Sequence, residues 1–448
     1  MVYYLLKMSQ PQVLMIGWEL PPQNSGGLGV ACDGLSQALA GDGVKLDFTL
    51  PYEFKGECKH LNVIDCYDAT LAEQRASYLT SREEYLRKHG RQAGPPLATY
   101  GQGNGQGLTQ EGEKAAAVFE RQLKLQRTKA KISKNLLQPV SEMEHQVDDY
   151  ADLVLEAAVK RADKIDLIHA HDWLTIPAAL KVKEELNKPL VLHIHSTEFD
   201  RTLTSDFNSY VTRTEYEGMK LADKVVAVSY YTKRLLVEKY LIDPYKIEVV
   251  HNGVMPQTGA LPVEAYNFAP ERPVIVFMGR LTMQKGPDYF LEMASKILAN
   301  RPDALFVYAG AGDMYQDLLF RNANHGLSAS VLFTNFLRGK QKDALLDRAD
   351  VFVMPSVSEP FGLVAVEAVQ HGTPVVISKN SGVAEVLHDT PAVDFWDIDR
   401  LVGETLHLLE DQNYKQDLVK RQQSQLDSFT WQKSAQKVEQ IYQQLLDK

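Results

Sequence analysis

Glu359 and Glu367, with seven residues between them, bracket an apolar turn of Pro360, Phe361 and Gly362. The segment before the pair, Asp350 to Pro355 (D-V-F-V-M-P), reads as a buried strand ended by proline. The segment after Gly362 reads as a helix, which puts Gly362 and Leu363 at its N-terminus. Free backbone N–H groups and the positive end of the helix dipole favour an anion there. Glu359 then sits at the carboxyl end of the strand, and Glu367 lies about one turn into the helix, within reach of the same crevice. Carboxylates accept hydrogen bonds from hydroxyls. Two of them beside an anion site call for a ligand with both sugar hydroxyls and phosphates, a nucleotide sugar. The competing reading is an ordinary strand-loop-helix unit with two solvated carboxylates.

Two fixed cations lie upstream. The run F-M-G-R-L-T-M-Q-K-G-P carries Gly279 in a turn, then Arg280 and Lys285. Beside a helix N-terminus such a pair suits a diphosphate, and it stabilises a departing diphosphate more than the intact donor. Read alone, the two could equally be surface charges. Near the N-terminus, E-L-P-P-Q-N-S-G-G-L-G-V-A places Gly26 and Gly27 at the start of a helix, where a backbone without Cβ atoms lets a ligand approach.

His169, His171, His193 and His195 form two H-x-H pairs at adjacent strand ends. Alternate residues share a strand face, so each pair could grip a metal, and a zinc or binuclear hydrolase is a competing reading. The other reading of His169 and His193 is core histidines. D-I-D at Asp397–Asp399 precedes a helical run, Leu401–Leu409, and reads as a cap rather than a metal site. H-N-G-V at His251–Val254 holds an Asn-Gly turn signal and reads as structural.

The elements that must position these residues alternate between strand and helix, which favours parallel sheets. Strands are expected at Val13–Trp18, Leu167–Ala170, Leu190–Ile194, Val225–Ser229 and Ile247–Val250, with a helix over Gly27–Ala40. A second series runs through Val274–Met278, Ala304–Ala309, Val331–Thr334, Val351–Pro355 and Pro374–Ile377. Proline-rich Asn252–Arg272 reads as a linker, with a boundary near residue 258. Residues 68–145 break the pattern with G-Q-G-N-G-Q-G (Gly101–Gly107) and a basic stretch, Lys114–Lys134. That stretch reads as a solvated helix on an inserted flap; docking on a membrane surface or an anionic ligand is the alternative.

At 448 residues, 44% of them hydrophobic, the chain is long for one domain and ample for two cores. A formal net charge of -10 argues against general nucleic-acid binding. Three cysteines, Cys32, Cys58 and Cys66, form no C-x-x-C pair, which suits a reducing cytoplasm and gives no sign of a thiolate zinc site. The opening M-V-Y-Y-L-L-K-M is too short an apolar run for a signal peptide or a membrane span.

Taken in order, these segments resemble the retaining glycosyltransferases of the GT-B fold. S-E-P-F-G-L-V-A-V-E looks like their E-x(7)-E signature, and R-L-T-M-Q-K-G like their R-L-x-x-x-K-G motif. H-A-H-D-W-L-T and H-I-H-S-T-E-F-D-R look like segments of glycogen and starch synthases. Their K-x-G-G-L loop is matched by N-S-G-G-L, with Asn24 where those enzymes carry Lys. The resemblance implies an α/β fold of two Rossmann-like domains facing a central cleft. It implies an acceptor-side domain over 1–257 with 68–145 inserted, a nucleotide-sugar domain over 258–428, and a helix over 429–448 crossing back to the first domain.

It also implies that Arg280 and Lys285 hold the diphosphate, Glu359 the donor sugar and Glu367 the ribose, with His195 beside the sugar. Gly26, Gly27, Asp172, Phe361, Gly362 and Leu363 complete the substrate site. No metal or other cofactor is implied. The leading expectation is transfer of glucose from ADP- or UDP-glucose to an α-glucan. Synthesis of a surface polysaccharide, a glycolipid or sucrose phosphate is the alternative.

Overall fold

The computed structural model describes residues 10–23, 26–67, 141–202, 208–254 and 271–447. Asn24, the loop Gly101–Gly107, the basic stretch Lys114–Lys134 and the expected boundary near residue 258 lie outside them.

The first sheet has seven strands: β1 (Gln12–Ile16), β2 (Lys45–Leu50), β3 (Asn62–Asp65), β4 (Leu167–His171), β5 (Leu190–Ile194), β6 (Lys224–Ala227) and β7 (Ile247–Val249). Their order is β3-β2-β1-β4-β5-β6-β7, and every pairing is parallel. The second sheet has six: β8 (Val274–Met278), β9 (Leu305–Ala309), β10 (Val331–Phe333), β11 (Val351–Met354), β12 (Val375–Ser378) and β13 (Ala392–Val393). It runs β10-β9-β8-β11-β12-β13, again all parallel. The central strands, such as V-I-V-F-M of β8 and V-F-V-M of β11, are almost continuously apolar because helices cover both faces of each sheet.

The expectation of two Rossmann-like parallel-sheet domains is met. Most strands lie where expected, within a residue or two at each end. The sequence reading lacked β2, β3 and β13, which are an alternating, a half-exposed and a two-residue strand. Residues 142–145, expected inside the insertion, open the helix Glu142–Val159. Ser141 and Glu144 form its capping box, and Tyr150 and Val154 anchor it in the first core.

The terminal helix, Trp431–Leu446, crosses back to the first domain. Trp431, Ala435, Val438, Ile441 and Tyr442 pack with Val13, Met15, Leu35 and Leu39. Gly34 makes room for Trp431: a Cβ there would lie 2.3 Å from its indole. H-N-G-V is the seat of this crossing. Val254 N–H donates to Phe429 C=O at 3.0 Å, and a Cβ on Gly253 would strike the Trp431 backbone. Asp397 caps the helix Ile398–Glu410 by accepting from Arg400 N at 3.1 Å, as expected of the D-I-D segment.

No described helix is long and apolar enough to cross a membrane.

Candidate active site

In an open parallel sheet, ligands bind beyond the carboxyl ends of strands at the point where the strand order reverses. That point lies between β1 and β4 in the first sheet and between β8 and β11 in the second. Gly26, Gly27, Asp172, Arg280, Lys285 and Glu359, all singled out from the sequence, lie beyond these four ends, and His195 follows the neighbouring β5. β1 leads to Glu19, Gly26 and Gly27; β4 ends at Asp172; β8 leads to Arg280 and Lys285; β11 leads to Glu359.

On the second sheet, one close approach brings the loops together. Gly286, at φ +65°, packs so tightly that a Cβ would lie 2.2 Å from the carbonyl oxygen of Pro355. The neighbouring Lys285 thereby reaches Glu359, with Nζ 2.7 Å from Oε2. The Ser356 hydroxyl donates to the same oxygen at 3.3 Å. Arg280 stands exposed at the mouth of the cleft, its Nη2 3.4 Å from Gln284 Oε1. Gly362, at φ +111°, turns the chain into the helix Leu363–Gln370, and no side chain among the described residues caps that helix. Phe361 is buried in the second core, and its carbonyl accepts from Val383 N at 2.7 Å, so its side chain packs the site from below rather than lining it. Glu367 Oε1 is 2.7 Å from Lys342 Nζ, with each side chain about a quarter exposed.

On the first sheet, Asp172 adopts φ +59° and ψ 175°, a conformation ordinarily kept for glycine. Surrounding bonds fix it there. Its N–H donates to His193 C=O at 3.0 Å, and Oδ1 accepts from the backbone N–H of His195 at 2.6 Å and of Ser196 at 3.3 Å. Burial pushes its carboxyl up to about 7, against the pull of those N–H groups and of Arg201. Gly26 lies against Glu19: a Cβ there would be 2.7 Å from Oε2. Gly27 faces open space. The Glu19 carboxylate accepts from Gly29 N–H at 3.3 Å. Burial raises its pKa, while Gly29 and then Arg280, near enough to act through its charge, oppose the rise.

His171 and His193 are in register across β4 and β5, so the two H-x-H pairs form a stack. Ring centroids lie 4.4 Å apart for His193 and His195 and 4.5 Å apart for His169 and His171. His171 Nδ1 is 3.0 Å from His195 Nε2, and His169 Nδ1 is 2.6 Å from the Tyr442 hydroxyl on the terminal helix. Burial pulls His169 and His195 down to about 3, so both are neutral near pH 7.

Nitrogens of His169, His171 and His193 lie within 4.8 Å of one another, as do ligand atoms of Cys32, His171 and His195. One observation speaks against chelation by the first trio: its rings lie within 27° of parallel, so their in-plane lone pairs run alongside one another instead of converging. In the second trio, burial, followed by the charges of Asp172, Glu19 and Asp33, raises the Cys32 thiol above its ordinary value. The core reading of His169 and His193 therefore fits, although His169 Nε2, His171 Nε2 and both His193 nitrogens find no partner among the described residues.

Residues 137–258 match the model of glycosyltransferase family 4, and residues 263–425 match that of glycosyl transferases group 1. The chain is 27% identical over 457 residues to MJ1607, an uncharacterized glycosyltransferase of Methanocaldococcus jannaschii, covering 96% of this chain and 97% of that protein. YqgM, an uncharacterized glycosyltransferase of Bacillus subtilis, is 31% identical over 254 residues, covering 55% of this chain and 67% of that protein. The chain belongs to the glycosyltransferases. A glycogen synthase of Mycobacterium tuberculosis is 28% identical to this glycosyltransferase over 294 residues, which is 63% of this chain and 69% of that one. A sucrose-phosphate synthase structure from Thermosynechococcus elongatus has the same fold, with a TM-score of 0.68, 16% identity, and coverage of 98% and 99% of the two chains.

Several groups in the cleft of this glycosyltransferase escaped the sequence reading. Glu19, Asp200 and Ser358 stand inside segments that were singled out, without a role attached. Tyr231, Lys342 and Glu385 carry no local signal, because their partners come from distant parts of the chain.

Proposed function

We propose that this glycosyltransferase moves glucose from ADP-glucose or UDP-glucose to an α-glucan with retention of anomeric configuration. The Lys285–Glu359 pair, set beside the uncapped N-terminus of Leu363–Gln370, carries the reading. Within 3 Å it joins a cation suited to a diphosphate with a carboxylate suited to sugar hydroxyls. In this account residues 258–428 bind the donor and residues 1–257 face the acceptor. Arg280, Lys285 and the amides of Gly362 and Leu363 take up the charge that grows on the leaving diphosphate. Glu367 accepts from the ribose once Lys342 is displaced. Neutral His195 offers the sugar a hydrogen bond rather than a charge.

In this account Glu359, whose Oε2 accepts from Lys285 and Ser356, binds the sugar's hydroxyls, and the acceptor hydroxyl attacks from the face the diphosphate leaves. The C–O bond to the diphosphate breaks, the new glycosidic bond forms, and the hydroxyl proton passes to the departing phosphate oxygen. The relationship to a glycogen synthase supports glucose and a glucan as the pair. Proton NMR of the first product linkage tests the stereochemistry: an α linkage is expected, and a β linkage would contradict same-face attack.

A further inference from the structure

Ser358 immediately precedes Glu359, and its hydroxyl is buried between the two domains. It donates to Asp200 Oδ1 at 2.6 Å and lies 2.9 Å from the Tyr231 hydroxyl. Since a serine has one proton to give, Tyr231 donates to Ser358 and Ser358 to Asp200. Asp200 is itself clamped: Oδ2 accepts from Thr197 N at 2.7 Å and Thr197 Oγ1 at 2.9 Å, reaching back to the N-cap residue of the helix Glu198–Arg201. That helix continues directly from the segment carrying His195. Tyr231 opens the helix Tyr230–Tyr240, whose first amides are held across the domain boundary by Glu385: Tyr230 N at 2.8 Å and Tyr231 N at 2.7 Å. On the far side of Glu359, the carbonyl of Pro360 accepts from the Ser229 hydroxyl at 2.6 Å.

Both neighbours of Glu359 are thus held by side chains of the first domain. Among the described residues, its own carboxylate is held by Lys285 and Ser356 of the second domain. Separating the domains would break the former bonds and keep the latter. We infer that Asp200, Ser358 and Tyr231 are positioning residues: their relay aligns Glu359 with His195 across the cleft only when the domains are closed. This rests on the donor reading above. Nucleotide contacts lie within the second domain, so the relay governs the chemical step and not nucleotide binding.

The test compares Ser358→Ala, Tyr231→Phe and the double variant with wild type, measuring kcat and KM for the donor and the Kd of ADP and UDP. Loss of alignment is expected to lower kcat about 10- to 100-fold, with nucleotide Kd within about twofold. The double variant should be no worse than Ser358→Ala, because Tyr231 acts through Ser358. Should Ser358→Ala fail to fold, Tyr231→Phe, which removes one oxygen from a half-buried ring, carries the test.

An unchanged kcat in the variants overturns the inference, as does nucleotide affinity falling in step with kcat. If wild type transfers and Glu359→Ala does not, an unaffected Ser358→Ala overturns the relay alone. A wild type that releases no nucleotide from any donor overturns the donor reading and the relay together.

Discussion

Lys285 and Glu359 form an ion pair of 2.7 Å that joins the loop after β8 to the loop after β11. One member is the natural partner of a diphosphate and the other of a sugar hydroxyl, so each holds the other in place before the donor arrives. Removing either should damage transfer far more than folding. Lys285→Ala is expected to lower kcat by about 100- to 1,000-fold. Glu359→Gln, which keeps shape and loses charge, should lower it at least about tenfold. Thermal melts of both variants should remain cooperative. Steady-state rates close to wild type in either would remove the pair from the mechanism.

Glu367 is paired with Lys342 at 2.7 Å, so in the proposed donor mode a ribose competes with an ammonium for the carboxylate. Glu367→Ala should weaken nucleotide binding about tenfold, the scale of a lost hydrogen bond to a charged group. Lys342→Ala frees the carboxylate and should leave binding unchanged or tighter. Calorimetric titration with ADP and UDP reads both. Weakening in Lys342→Ala with none in Glu367→Ala would mean that Lys342, not Glu367, is the ligand group.

The histidine stack makes the protein sensitive to acid. Burial, then the neighbouring imidazoles, holds His193 well below its ordinary value of 6.5. Above that pH the ring is neutral whether the chain is folded or not. Below it only the unfolded chain takes up the proton, so stability falls as pH falls from 6.5 toward the depressed folded value. His193→Leu removes this contribution. Between pH 6.5 and about 5 the variant should lose about 2 kcal/mol less stability than wild type. Denaturant melts across that range check it, and parallel pH profiles would show that His193 is not held neutral. Asp172, pushed up to about 7, acts in the opposite sense over the same range, which is why the comparison with wild type is the informative one.

The terminal helix belongs thermodynamically to the first domain. Trp431, Val438, Ile441 and Tyr442 are buried against it. At about 1.5–3 kcal/mol for each large apolar side chain, their removal costs roughly 6–12 kcal/mol, comparable with the whole stability of a domain. A chain ending at residue 430 should therefore fail to give a cooperative melt. A soluble truncated chain with the wild-type melting temperature would show that the crossing contributes little.

The fold was legible because its signals are local and repeated. Apolar strands such as V-I-V-F-M announce themselves, and proline and glycine mark their ends. So was the order of the segments that converge at the two switch points. Three kinds of feature were not legible. Strands β3 and β13 are short or half-exposed and carry little periodicity. The pairing of Lys342 with Glu367 and of Ser358 with Asp200 depends on helix placement and domain docking, which leave no mark in neighbouring residues. The two H-x-H pairs suggested a metal because spacing fixes which face a side chain shares; ring orientation, which decides chelation, depends on the register of β4 against β5 and on Tyr442.

Nucleotide release from a panel of ADP- and UDP-sugars, with and without glycogen, tests the central claim most directly. The account predicts release from one glucose donor, stimulated by glycogen, and loss of that release in Glu359→Gln. Release unaffected by glycogen would contradict the glucan acceptor, and no release from any nucleotide sugar would contradict the proposed reaction itself.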